Sequence, residues 1–391
     1  MTREEVTKRI RESPFANFLL ILPTGHGKTY QALTVIDKCV VEPKPILIVI
    51  PRLVLINNWK EEFEKFGFSH YLPYVTFTTY NSLHKHANKD WFVTIYDECH
   101  HLSARCREIA DNINSKHNCF LSATVKPDLQ FWIECNYPII EEIKVNLRDA
   151  IDQEVLPDPK VILLPLTLDY VNPTETIVKE FKNRKLWVTC MYRDRWKYLK
   201  TYNCKIKCTP SQYHAEISAD IEYWKKRAMN NKVFKNKWLK LCGDRLKWLS
   251  NQKNDMMLNL LSQLKNYRTL TFCNSIEQTE LLGKYCINSK NKASIENLAK
   301  FNAKKIKHIT SVNMLNEGCN LTDCRVGIYA SLNSSDTLVK QKTGRLLRHK
   351  EPVIIIPYFK HTREEELVEK MLENYNPDLV TIVNNIEDIK I

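Results

Sequence analysis

The stretch FLLILPTGHGKT, residues 18–29, constrains the fold more tightly than any other part of the chain. An apolar run of strand length ends at Leu22–Pro23, and Gly25 and Gly27 follow with one residue between them. There are only eight glycines in 391 residues, so two within three positions mark a backbone path that other residues resist. A turn that leaves a strand and opens a helix aims successive backbone amides at phosphate oxygens. In such a turn Lys28 reaches the β- and γ-phosphates and the Thr29 hydroxyl ligates Mg²⁺. Leu22 stands where the general pattern has glycine, so the match is to the shorter TGxGKT form.

A phosphate loop needs a carboxylate from a neighbouring strand, and WFVTIYDECHH (91–101) supplies one. Asp97 ends an apolar run, placed to hold Mg²⁺ through water, and Glu98 is placed to orient and deprotonate an attacking water. An Asp-Glu pair after a strand is common surface chemistry when it stands alone. About 70 residues after a phosphate loop, it makes a joint signal for nucleotide hydrolysis.

The rest of the chain is organised by alternation. Short apolar runs (FLLIL, PILIVIP, YVTF, FVTIYDE) alternate with helix-length polar segments to about residue 150. This predicts βαβ units on a parallel sheet. A second series starts at KVILLPLTL (160–168) and resumes with RTLTFCNS, IKHITSV, CRVGIYASL and PVIIIPYF. The expected fold is α/β, with two tandem parallel-sheet domains over 1–155 and 156–391. The second carries a basic, aromatic-rich, mainly helical insertion over 176–258. At the amino end, Thr2 and Glu5 have the spacing of a capping box on a charged helix.

Charge singles out that insertion. Residues 181–250 hold 18 Lys/Arg against 5 Asp/Glu, which accounts for the whole net charge of +13. Five of the eight tryptophans lie there too: Trp187, Trp196, Trp224, Trp238 and Trp248. A basic, aromatic segment suits a phosphate backbone with bases to stack. Equally, the rings could form the core of a solvated helical hairpin; the expectation is that most of them are core and that the surplus charge is functional.

Four further stretches carry a family resemblance. LPTGHGKT, DECH, LSAT (121–124) and QKTGRLLR (341–348) resemble motifs I, II, III and VI of superfamily 2 helicases, in order. VIPRLVLINNW resembles motif Ia, TFTTYNSL motif Ib, TFCNSIEQTELL motif IV and VNMLNEGCNLTDC motif V. The flavour is that of compact DExH-type helicases of large bacteriophages and other DNA viruses. The resemblance implies two RecA-like domains with ATP and Mg²⁺ in the cleft between them. It implies a nucleotide loop of Pro23, Thr24, Gly25, His26, Gly27, Lys28 and Thr29, with Thr29 and Asp97 at the metal. Glu98, Gln341, Arg345 and Arg348 become catalytic, Arg348 being the better candidate for an arginine finger, and His100 links motif II to Gln341. Gly318 and Asn320 would lie near the nucleotide; many relatives carry Asp at the position of Asn320. Gly344 fits a tight backbone approach in either reading. Arg52, Thr79, Asn274 and Glu317 are the implied nucleic-acid contacts.

Bland alternatives stand beside these roles. Ser122 and Thr124 could cap a helix, although their place 24 residues after Glu98 favours coupling between domains. Arg52 and Thr79 could be surface residues, and His101 a packing residue. Cys190, Cys204, Cys208 and His214 have ligand-like types at irregular spacing, and free thiols are the default for them. Thirteen scattered cysteines and no signal-peptide core suggest a reducing, intracellular setting such as the cytoplasm of a host cell. No adenine-reading glutamine motif precedes the loop, which leaves other NTPs open. The favoured function is an ATP-driven DNA helicase or branch-remodelling translocase. The alternatives are an RNA-remodelling ATPase and an ATP-gated clamp or motor subunit working with a partner nuclease. The partner is nucleic acid, DNA favoured over RNA, with accessory replication, repair or nuclease proteins beside it.

Overall fold

The computed structural model describes residues 1–312, 321, 323–332, 346 and 349–391. The motif V candidates Glu317, Gly318 and Asn320 lie outside the described residues, as do Gln341, Gly344, Arg345 and Arg348 of motif VI.

The first sheet is six-stranded and runs in the order β3-β2-β4-β5-β1-β6. Its strands are β1 (Phe18–Ile21), β2 (Ile46–Ile50), β3 (Val75–Thr79), β4 (Asp90–Asp97), β5 (Asn114–Ser122) and β6 (Glu141–Lys144). Every pairing is parallel. Successive side chains of a strand leave on opposite faces, and both faces of this sheet are buried. Phe18, Leu20, Ile46 and Ile48 enter one core, while Leu19, Ile21, Leu47 and Val49 enter the other. Near-continuous apolar runs are therefore what these strands require.

The second sheet is seven-stranded, in the order β12-β13-β11-β14-β15-β7-β16. It comprises β7 (Lys160–Leu166), β11 (Thr269–Phe272), β12 (Cys286–Ile287), β13 (His308–Ser311), β14 (Val326–Tyr329), β15 (Val353–Phe359) and β16 (Val380–Ile382), again all parallel. Inside it, Lys253 and Glu364 form an ion pair at 2.6 Å with both side chains fully buried. The Lys253 ammonium also donates to the Pro357 carbonyl, and Glu364 accepts from the Phe359 amide, so the pair anchors two helices to β15.

Between β7 and β11 the chain builds a separate layer. The helices Pro210–Asn230 and Lys235–Asn251 form a hairpin, and a three-stranded sheet precedes them that the sequence reading had not anticipated. Its strands are β8 (Glu175–Lys179), β9 (Trp187–Met191) and β10 (Asn203–Cys208), in the order β8-β10-β9. They are short and built from Lys, Cys and Thr, so neither length nor hydrophobicity announces them. The expected limit at residue 258 also moves: the helix Asn254–Gln263 buries Met257 and Leu260 in the core of the second sheet. The indoles differ from expectation too. Trp187 and Trp196, which lie outside the helical hairpin, are exposed, and Trp224, Trp238 and Trp248 on its helices are only partly buried. Cys190, Cys204 and Cys208 lie in the apolar core under the small sheet, and the described cysteines are free thiols. No described helix is long and apolar enough to cross a membrane.

Candidate nucleotide site and nucleic-acid edge

Parallel strands put all their carboxyl ends on one edge, and in open α/β sheets ligands bind there. On the first sheet that edge collects the end of β1 with the phosphate loop, Asp97 at the end of β4, and Ser122 at the end of β5. Gly25 and Gly27 take φ values of 93° and 98°, the left-handed region that glycine alone enters without cost. Lys28 and Thr29 then open the helix Lys28–Cys39. The N-terminal helix Arg3–Glu12, which has the expected capping box, fastens the loop from outside. Arg3 donates to the Gly25 carbonyl at 2.8 Å, and the Met1 carbonyl lies 3.1 Å from Nε2 of the buried His26.

Lys28 Nζ lies 3.2 Å from Glu98 Oε1, and both side chains are nearly buried. Glu98 reaches this position because its backbone turns left-handed (φ 51°) directly after β4, a strained conformation for a residue with a Cβ. Asp97 is held from two sides. Trp59 Nε1 donates to Asp97 Oδ2 at 3.0 Å, and the Tyr80 hydroxyl donates to the Asp97 carbonyl at 2.7 Å. The sequence reading missed both partners; Trp59 ends the motif Ia stretch, but its distance in sequence hides the contact.

The two carboxyls are driven apart in acidity. Burial, reinforced by the adjacent Glu98 charge, pushes Asp97 up to about 7. Burial would raise Glu98 as well, but the Lys28 ammonium and then His100 outweigh it and hold Glu98 down at about 2. Glu98 is thus ionised at neutral pH, while buried Asp97 beside that charge takes up a proton far more readily. Thr24 Oγ1 is buried beside them with no hydrogen-bond partner among the described residues. An unsatisfied hydroxyl, two left-handed glycines, a buried ammonium and a buried carboxyl fit a polyphosphate with a divalent metal.

His100 Nδ1 lies 3.0 Å from Ser122 Oγ and 3.4 Å from Glu98 Oε2. Ser122 Oγ donates to the Thr124 carbonyl at 2.7 Å, so it accepts from His100, which places a proton on Nδ1. The Ser122 carbonyl in turn accepts from the Leu22 amide at 2.9 Å, closing a ring from DECH through LSAT to the loop. His101 packs against Tyr80, with ring centroids 5.8 Å apart. A cleft of about 1380 Å³ opens before these groups, lined by Thr24, Lys28, Thr29, Asp97 and Glu98. His349 and Lys350, which follow the motif VI segment, line it from the other side.

The nucleic-acid candidates lie on the same kind of edge. Arg52 follows β2, and Thr79 ends β3 in register with Ile50, so the structure brings the two onto neighbouring strands. Asn274 follows β11 in the second sheet, where its amide donates to Gln278 Oε1 at 3.1 Å.

Comparisons with known proteins agree with this layout. The family model described as "Type III restriction enzyme, res subunit" matches residues 2–127, and "Helicase conserved C-terminal domain" matches 252–350. The DNA 3'-5' translocase XPB2 of Sulfurisphaera tokodaii is 32% identical over 123 residues, 28% of this chain and 27% of that protein. Among solved structures, S. cerevisiae Dbp5 bound to RNA and ADP BeF3 superposes with a TM-score of 0.58 at 10% identity, covering 98% of this chain and 89% of that one. The ATP-dependent Type ISP restriction-modification enzyme LlaBIII bound to DNA gives 0.56 at 13%, covering 98% and 31%.

Two parallel-sheet, RecA-like domains, with a phosphate loop and a paired carboxylate on the first, make a candidate nucleotide-binding core. The two matched domain models, in order over residues 2–127 and 252–350, are those of a superfamily 2 helicase. The chain spans about a quarter or less of the length of the curated relatives it matches.

Proposed function

We propose that this protein is an ATP-driven DNA motor, a helicase or branch-remodelling translocase, working through two domains, 1–155 and 156–391. The observation that carries the reading is the Lys28–Glu98 contact of 3.2 Å beside Asp97, facing the cleft that His349 and Lys350 close. When bound, Mg-ATP supplies the anhydride bond to be broken and the metal that clamps its phosphates. Pro23 to Thr29 cradle the phosphates, Lys28 neutralises their charge, and Thr29 and Asp97 hold the metal. Glu98, kept ionised by Lys28 and His100, takes the proton of the attacking water as its oxygen bonds to phosphorus and the bridging oxygen leaves. His100, Ser122 and Thr124 pass the state of that site to the domain interface. Gln341, Arg345, Arg348, Gly318 and Asn320 complete the site from the second domain, a reading that rests on motif resemblance; so do the contact of Glu317 with nucleic acid and the kinship with viral DExH helicases.

DNA is favoured because the curated relative is a DNA 3'-5' translocase, and the same direction is proposed here. Arg52, Thr79 and Asn274 grip the track in alternation as the domains close and open. The basic segment between β7 and β11 adds grip on the phosphate backbone. The protein works inside the cell beside replication, repair or nuclease partners. Release of a labelled strand from tailed duplexes tests this reading. It predicts ATP-dependent release from DNA with a 3' tail; release confined to RNA duplexes would instead establish the RNA-remodelling alternative.

A further inference from the structure

We propose that the open face of the small sheet β8-β10-β9 is a platform for single-stranded DNA, with bases stacking on Trp187 and phosphates held by Lys205 and Lys207. The proposal rests on the motor reading above and gives its track a specific contact outside the two RecA-like domains.

Alternation sorts the side chains of this sheet cleanly. Cys190, Cys204, Ile206, Cys208 and Ile177 point to the buried face. Lys179 and Glu175 share the helix side. Lys179 pairs with Glu216 and Asp220 of the helix Pro210–Asn230, and Glu175 accepts from Trp248 and Gln252. The opposite face carries Trp187, Thr189, Met191, Lys205, Lys207 and Val178, all exposed. Register brings them together: Thr189 and Val178 flank Lys205, and Met191 flanks Lys207. Lys205 Nζ lies 5.9 Å from the centre of the Trp187 ring, which is 43% exposed. A sheet face of two lysines, an indole and a thioether is what sequence-tolerant single-strand binding uses: backbone charge plus a ring for any base.

Two observations point to an anionic polymer as the occupant rather than a second protein. Four of the segment's carboxylates are taken up elsewhere: Glu216 and Asp220 by Lys179, Asp194 by Lys197, Glu222 by Lys225. Among the described residues no carboxylate pairs with Lys205 or Lys207. The platform is also tied to the edge where the track is expected. The helix Lys235–Asn251, which holds β8 through Trp248, carries Ser250 in its last turn. The Ser250 hydroxyl, with one proton to donate, lies 2.9 Å from both the Ala330 carbonyl and Gln278 Oε1, and Gln278 Oε1 also accepts the Asn274 amide. A buried polar joint therefore fixes the small sheet relative to the motif IV turn.

The test uses the full chain and fluorescein-labelled oligo-dT, read by anisotropy, with DNA-free and DNA-stimulated ATP hydrolysis measured on the same proteins. The platform variants are Lys205→Glu/Lys207→Glu and Trp187→Ala, with Trp187→Phe as a conservative control. Lys235→Glu/Lys240→Glu makes the same charge change on exposed positions of the hairpin. The expected result is a loss of oligo-dT affinity of about tenfold or more for the platform variants, given the size of stacking and phosphate contacts. Trp187→Phe should recover most of it, the hairpin variant should lose clearly less than the platform variants, and DNA-free hydrolysis should be unchanged. Equal losses on platform and hairpin, or no loss on the platform, would each overturn the proposal. A platform-dependent loss of oligo-dT binding in a protein whose hydrolysis ignores DNA would keep this site and overturn the motor reading instead.

Discussion

His100 Nδ1 stands 3.0 Å from Ser122 Oγ and 3.4 Å from Glu98 Oε2, so one imidazole touches both the Glu98 carboxylate and the last residue of β5. Whatever changes the charge at Glu98 is felt at Ser122, and through its Leu22 contact at the phosphate loop. Ser122→Ala, which breaks the link but leaves His100 on Glu98, should therefore leave DNA-free hydrolysis nearly intact while lowering strand release per ATP consumed by roughly fivefold or more, the size of an ordinary coupling energy. Parallel assays of phosphate release and strand displacement check this; an equal fall in both would mean that the serine serves only the chemistry.

Glu98→Gln removes the carboxylate proposed as the base but keeps the shape. Hydrolysis should fall by about a hundredfold or more, the usual worth of general-base catalysis, while binding of a fluorescent nucleotide persists. Loss of binding with little loss of turnover would move the base elsewhere.

The Lys253–Glu364 pair predicts a stability effect with no catalytic origin. Either Lys253→Met or Glu364→Gln leaves a buried group without its partner and should cost about 3–5 kcal/mol, whereas Lys253→Met with Glu364→Leu should recover much of that. Urea unfolding followed by circular dichroism reads all three; a double variant as unstable as the sum of the singles would contradict the account.

His308, at the start of β13, gives a pH dependence. Burial lowers it from 6.5 to about 4, and its Nε2 lies 3.1 Å from Thr271 Oγ1. The fold holds the neutral ring, so below 6.5 the unfolded chain binds a proton that the native one refuses. Stability from this group is present at pH 7 and falls by about 2 kcal/mol on going to pH 5. His308→Gln should lose that much less than wild type over the same interval in urea melts.

How much of this was legible in the sequence depends on how local the geometry is. The loop around Gly25, Gly27 and Lys28 and the Asp97-Glu98 pair are written in contiguous residues, because a phosphate-binding turn and a strand end are set by neighbours in the chain. The β1, β2, β4 and β15 runs were readable because buried parallel strands are continuously apolar. The holds on Asp97 from Trp59 and Tyr80, and the clasp of Arg3 on Gly25, cross 38, 17 and 22 residues, and no local pattern announces them. The small sheet stayed hidden for another reason: NCKIKC and WVTCM alternate correctly, but their charge and thiols outweigh that signal within a basic segment.

Steady-state ATP hydrolysis, with and without single-stranded DNA, for wild type and Lys28→Ala tests the central claim most directly. The account predicts that DNA raises the wild-type rate at least several-fold and that Lys28→Ala is inactive in both conditions. A wild-type rate that DNA leaves unchanged, or a Lys28→Ala protein as fast as wild type, would contradict it.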